Sequence, residues 1–190
     1  MRLWVLAGLM VSVSVAAAAA EVAGIELADH TTVGRRELVL NGAGLRKKLF
    51  FGVYVAGLYL TERRKAPADV LALAGPKRLS ITLLRDLSAG ELVAALNGGV
   101  RDNCSPAEQQ AVQGRLDALT ATLLAIGRAR KGDVITFDWV PDVGTLVLVS
   151  GKAQGPSIPG DDFYRALLRV WVGDKPTNRD LKEAMLGQAE

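Results

Sequence analysis

The chain holds one cysteine and one histidine in 190 residues, and aromatic residues make up only 5% of it. These scarcities exclude more chemistry than the abundant residues suggest. Cys104 has no cysteine partner for an internal disulfide, so the chain must be held by its core. A domain of this size buries roughly 70% of its unfolded surface, which is enough. A zinc site would have to recruit His30 and Cys104 from distant parts of the sequence, without the close ligand pairs such sites use. No metal site is expected. A Ser-His-Asp hydrolase would have to pass through His30, which sits among polar neighbours early in the chain and reads as a surface residue. Charge is nearly balanced, with 23 basic residues against 20 acidic and a formal net charge of +3, which argues against a nucleic-acid partner.

Residues 1–20 have the grammar of an export signal. Arg2 precedes an apolar run from Leu3 to Val15, and Ala16 to Ala20 supplies small residues with Ala18-x-Ala20 spacing before Glu21. Cleavage near Ala20 is expected, leaving residues 21–190 as one periplasmic or secreted domain with no stable membrane span. A retained anchor is the alternative, but alanine is weakly hydrophobic and no basic cluster follows Ala20.

Strand-like residues at Glu37–Leu40 lead into Asn41-Gly42-Ala43-Gly44, which reads as a hairpin turn, a bulge or a close approach of two backbones. Leu45–Leu60 is extended and long for one strand. If it is straight, Arg46 and Tyr54 lie roughly 26 Å apart. If it folds back near Phe50, they become cross-strand neighbours. Pro67–Gly75 reads as a short helix, and Lys77–Asp86 alternates with Leu79, Ile81 and Leu83 on one face. Arg85 and Asp86 are expected to pair at its end. Ser88-x-x-Glu91 and Ser105-Pro106-x-Glu108 are capping-box spacings. The second opens an amphipathic helix through Val112, Leu116, Leu119, Leu123 and Ile126, with Arg128, Arg130 and Lys131 expected at its C-terminal end.

Strands return at Asp133–Val140, Thr145–Ser150 and Lys152–Ile158, separated by turn residues. Asp161 or Asp162 is expected to cap a helix carrying Phe163, Leu167, Leu168 and Trp171, and Asn178 to cap a last one. The order of strands, helices, strands and helices argues α+β with an antiparallel sheet. Trp139, Trp171 and Cys104 are expected in the core.

Leu40-Asn41-Gly42-Ala43-Gly44-Leu45-Arg46, then Val53-Tyr54-Val55-Ala56-Gly57-Leu58-Tyr59-Leu60, resembles the chalcone isomerase superfamily. Leu83–Ser88 and Phe163–Pro176 look like its exported bacterial chalcone isomerase-like branch. The resemblance implies an open-faced β-sandwich: a large antiparallel sheet covered by a layer of helices, with an apolar ligand cleft between them. It also implies the hairpin that brings Arg46 to Tyr54. In the plant enzymes an arginine activates a phenolate, while a threonine and a tyrosine polarise the ketone. Arg46 matches the arginine, Tyr54 stands at the threonine position and Leu92 at the tyrosine position. Asn103, in Asn103-Cys104, corresponds to a further plant site residue at an altered spacing.

A leucine offers no hydrogen bond to an oxyanion, so the dominant electrostatic contribution would be missing at position 92. The expectation is a non-catalytic exported protein that binds an apolar anionic small molecule, such as a fatty acid, through Arg46, Tyr54 and Asn103, without a cofactor. The alternative is an isomerase or intramolecular lyase acting on a chalcone-like enone or phenol.

Overall fold

The computed structural model describes residues 19–188; the export signal expected over residues 1–20 lies almost wholly outside them. Eleven strands and five helices follow in the order β1 (Ala19–Val22), β2 (Ile25–Ala28), β3 (His30–Val33), β4 (Arg36–Lys48), β5 (Phe51–Leu60), α1 (Pro67–Ala72), β6 (Lys77–Leu83), β7 (Leu87–Ser88), α2 (Ala89–Asn103), α3 (Pro106–Ile126), β8 (Arg128–Ala129), β9 (Val134–Val140), β10 (Gly144–Val149), β11 (Lys152–Ile158), α4 (Asp161–Val172) and α5 (Arg179–Met185). Seven strands form one antiparallel sheet in the order β11-β10-β9-β6-β5-β4-β3. No helix among the described residues is long and apolar enough to cross a membrane.

Alternation decides the faces. In β6, Leu79, Ile81 and Leu83 are buried while Arg78, Ser80 and Thr82 are half-buried, and in β9 Ile135, Phe137 and Trp139 join the same apolar layer. Helices α2, α3 and α4 close over that layer. Helix α4 contributes Phe163, Leu167, Leu168 and Trp171 to it. A smaller apolar cluster on the opposite face gathers Leu27, Val33, Leu38, Leu40, Val55 and Tyr59, partly under the β1–β2 hairpin. This is the sheet-and-helix-layer fold that the resemblance implies.

Both capping boxes form, Ser88 with Glu91 and Ser105 with Glu108, so each serine satisfies one of its helix's otherwise unpaired N–H groups. Asn178 caps α5. Helix α4 departs from expectation, for its N-cap is Gly160 and both Asp161 and Asp162 lie inside its first turn. Asp162 instead pairs with Arg115 of α3. Helix α3 stops at Gly127, whose φ of 74° breaks the helix, so Arg128 passes into β8 before it can serve the helix end. Arg85 and Asp86 do not pair with each other. Arg85 bonds Glu91 at 2.6 Å and Asp86 contacts Arg128 at 3.3 Å, because the strand end turns the two side chains apart.

Leu45–Leu60 is two strands. The chain reverses at Leu49 and Phe50, pairing Lys48 with Phe51. Gly42 and Gly44 are the floor on which the C-terminal helix lies. A Cβ on Gly42 would sit 2.1 Å from the Ala184 carbonyl oxygen, and one on Gly44 would meet the Ala184 Cβ at 2.7 Å. Asn41 fastens the contact: its amide donates to the Met185 carbonyl at 2.7 Å and accepts from the Arg64 N–H at 2.6 Å. Both surviving readings of this segment hold, since the register also shifts between Leu40 and Gly42. The shift reverses alternation, sending Leu38 and Leu40 to one face and Gly42 and Gly44 to the other.

Candidate functional site

A cavity of about 320 Å³ lies between the sheet and the helices, in the size range of small-molecule sites. Its walls are apolar side chains from β5, β6, β9 and α2, among them Val53, Ile81, Leu92, Leu96, Ile135 and Phe137. Its polar groups gather at one end. Arg46 and Tyr54 are direct cross-strand partners, and a second register shift, between Arg46 and Lys47, puts both on the helix-facing side. The Arg46 guanidinium carbon stands 5.5 Å from the Tyr54 ring centroid, within cation–π range.

Tyr54 is buried and held. Its hydroxyl accepts a hydrogen bond from the Trp171 indole N–H at 2.8 Å, and the Thr177 hydroxyl touches it as well. Burial pushes its pKa up to about 12, outweighing the opposing pull of the Arg46 charge and of these two hydrogen bonds. At neutral pH it is therefore a phenol, a hydrogen-bonding group and not a base. Trp171 in turn packs against Phe137 with ring centroids 6.2 Å apart. The sequence pattern gave no sign of this clamp, which joins residues 117 positions apart.

Arg46 brings an unpaired polar atom to the cavity. Its Nε is buried without a protein hydrogen-bond partner, one of two such side-chain atoms among the described residues; the other is the Thr145 hydroxyl, away from the cavity. Buried polar groups are nearly always satisfied, and leaving one unpaired costs about 1–3 kcal/mol. Lys48 and Arg85 also border the cavity, against Glu91 as its carboxylate. Since Arg85 and Glu91 neutralise each other, the surplus charge is positive.

Leu92 lines the cavity and brings no polar atom to it. Asn103 does not reach the cavity. It lies at the C-terminal end of α2, where its amide donates to the Gly99 and Lys175 carbonyls at 2.9 and 2.8 Å and its oxygen accepts the Lys175 N–H at 2.8 Å. Its hydrogen-bonding capacity goes to pinning the segment that follows α4. That segment carries Thr177, so Asn103 is linked to Tyr54 through the backbone. Cys104 is buried, as expected, with its thiol pKa raised by burial and its sulfur 3.8 Å from an Arg169 nitrogen. His30 is exposed on β3 beside Glu37, remote from the cavity.

Comparison with known proteins agrees with this architecture. No curated protein matches the chain significantly. Among solved structures, a fatty-acid binding protein of Arabidopsis thaliana shares the fold with a TM-score of 0.63 at 15% sequence identity, over 86% of this chain and 92% of that one. The family model described as chalcone isomerase-like matches residues 19–187, nearly all the residues that build the sheet, its helical cover and the cavity. The chain belongs to the chalcone isomerase-like family.

Proposed function

We propose that this protein is a non-catalytic carrier or sensor of an apolar carboxylate, a fatty acid being the best fit, and that it works after export from the cytoplasm. The observation that carries the reading is the buried, unpaired Arg46 Nε at the polar end of an apolar cavity. A carboxylate there would accept from Arg46 in a charge-assisted hydrogen bond and remove the cost of the orphaned donor. The aliphatic body would lie against Ile81, Leu92, Leu96 and Phe137. Tyr54 supports the head group beside Arg46, and Asn103 acts one step removed, by holding the segment of Thr177. The likeness of fold to a plant fatty-acid binding protein supports the same reading. Against the isomerase alternative stands the apolar Leu92, which leaves an enolate without a hydrogen-bond donor at that position.

The test is native mass spectrometry of protein purified from its own host without detergent, with displacement of a fluorescent fatty acid as the solution assay and N-terminal sequencing of the same sample. Co-purified or displaceable fatty acid and an N-terminus near Glu21 are expected. An empty protein that displaces no probe, or one that cyclises a chalcone, would overturn the reading.

A further inference from the structure

The turn between β4 and β5 contradicts the economy of the rest of the surface. Leu49 is 84% exposed, Phe50 94% and Phe51 71%, so three consecutive large apolar side chains stand in solvent. The other exposed large apolar residues among those described, Leu124 and Val143, are single. Contiguous exposed apolar groups mark surfaces that meet another phase or partner. The backbone makes the same point independently. Leu49 has a φ of 56°, at a position in a two-residue turn that glycine, asparagine or aspartate fills without steric penalty. Leucine there adds strain and gains no burial, so its side chain serves something other than folding.

The charges around the tip identify the partner. Lys47 and Lys48 are exposed at the end of β4. Arg130 and Lys131 are exposed in the loop before β9, which the Gly132 N–H ties to the Leu83 carbonyl, while the Leu84 N–H bonds Val53 beside the tip. The carboxylates of this end are already engaged, Glu91 by Arg85, Asp86 by Arg128 and the Lys131 N–H, and Asp133 by the Arg130 N–H and the Ser150 hydroxyl. An apolar, aromatic point inside a basic rim matches the acyl boundary and the negatively charged head groups of a bilayer. We infer that the β4–β5 tip docks on an anionic lipid surface, Leu49, Phe50 and Phe51 entering the interface and Lys47, Lys48, Arg130 and Lys131 meeting the head groups. Lys48 and Arg85 also border the cavity, so docking would turn the cavity's polar end toward lipid. The docking does not depend on what the cavity holds.

Flotation of the chain as its host produces it, with vesicles of phosphatidylethanolamine and phosphatidylglycerol at 3:1 and with phosphatidylcholine vesicles, tests this. Binding to the anionic vesicles alone is expected, with loss at high salt. The double variant Phe50→Ser/Phe51→Ser should bind at least ten-fold less. Lys47→Glu/Lys131→Glu should weaken binding about five-fold or more per lysine. In Phe50→Trp, emission should shift to the blue and be quenched by brominated acyl chains. Leu49→Gly should raise Tm yet weaken vesicle binding, a divergence that a purely structural role does not produce. Fatty-acid displacement in solution should be unchanged in Phe50→Ser/Phe51→Ser, separating this inference from the cavity's function. No vesicle binding, or equal binding by Phe50→Ser/Phe51→Ser, would overturn it. So would a dimer dispersed by that variant without any lipid dependence, which would make the tip a protein interface.

Discussion

Arg46→Met separates a binding arginine from a structural one because the two roles predict opposite signs. Methionine keeps an unbranched stem of similar reach and removes the charge and the orphaned Nε. In the empty protein the orphan costs about 1–3 kcal/mol. The cation–π contact with Tyr54 returns about 0.5–2 kcal/mol, part of which a thioether over the same ring retains. The net expectation is a variant as stable as the parent or more so, by up to about 2 kcal/mol. At about 2–4 °C per kcal/mol for a chain of this size, Tm should rise by as much as about 8 °C. Affinity should move the other way. A hydrogen bond to a charged group is worth about 1.5–3 kcal/mol, so a fatty acid should bind roughly 10- to 150-fold more weakly. The matching fatty alcohol, with no carboxylate, should bind parent and variant alike. Displacement titrations with acid and alcohol, beside calorimetric unfolding of ligand-free protein, give both numbers. A fall in Tm with unchanged acid affinity would refute the argument, as would equal losses for acid and alcohol.

Filling the cavity by Leu92→Trp should abolish binding of acid and alcohol together while Tm changes little, measured by the same pair of assays. Gly42→Ala should lower stability by about 1–3 kcal/mol, because its Cβ meets backbone of α5 that cannot step aside; Gly90→Ala, whose Cβ meets open space in a helix, is the control and should stabilise by about 0.5–1 kcal/mol in urea unfolding. Glu108 accepts from Arg169 and from the Ser105 hydroxyl and N–H, which lowers its pKa to about 2 from an ordinary 4.5. Its stabilisation is thus complete above about 4.5 and lost as pH falls toward about 2. The ion pair is partly exposed, so solvent screening limits Glu108→Gln to a loss of about 1 kcal/mol at neutral pH, vanishing at pH 2, checked by unfolding at both values.

Local rules were legible wherever one residue type has one physical use. Ser88 and Ser105 announced their helices, Asn178 its cap, and Val112 to Leu123 the buried stripe of α3. The antiparallel sheet followed from the order of elements. Neither aspartate is the cap, because α4 begins at Asp161 behind Gly160, and the Asp162 carboxylate pairs with Arg115 of α3. The site was half legible. Arg46 and Tyr54 stood out through the family resemblance, but their juxtaposition depends on a turn at Leu49 and Phe50 that an unbroken apolar run conceals. Trp171 looked like core because nothing local distinguishes an indole that packs from one that also donates to Tyr54. Asn103 stood out only through the resemblance, and the Lys175 carbonyl and N–H that it bonds lie 72 positions away, where no local pattern reaches.

The two register shifts of the β4–β5 hairpin have a further consequence. One leaves Asn41 extra on β4, the other leaves Val53 extra on β5, and they compensate: Leu40 opposite Tyr59 and Lys47 opposite Gly52 keep the same frame, while the stretch between them is slipped by one. Arg46 faces Tyr54 only inside that slipped stretch. Were the hairpin to pair in the frame of its two ends throughout, Arg46 would stand opposite Val53 and Tyr54 opposite Leu45, and the two side chains would not meet. The meeting of Arg46 with Tyr54 thus rests on where one residue drops out of the ladder: an extra residue at Val53 serves, and the same extra residue further along β5 would not.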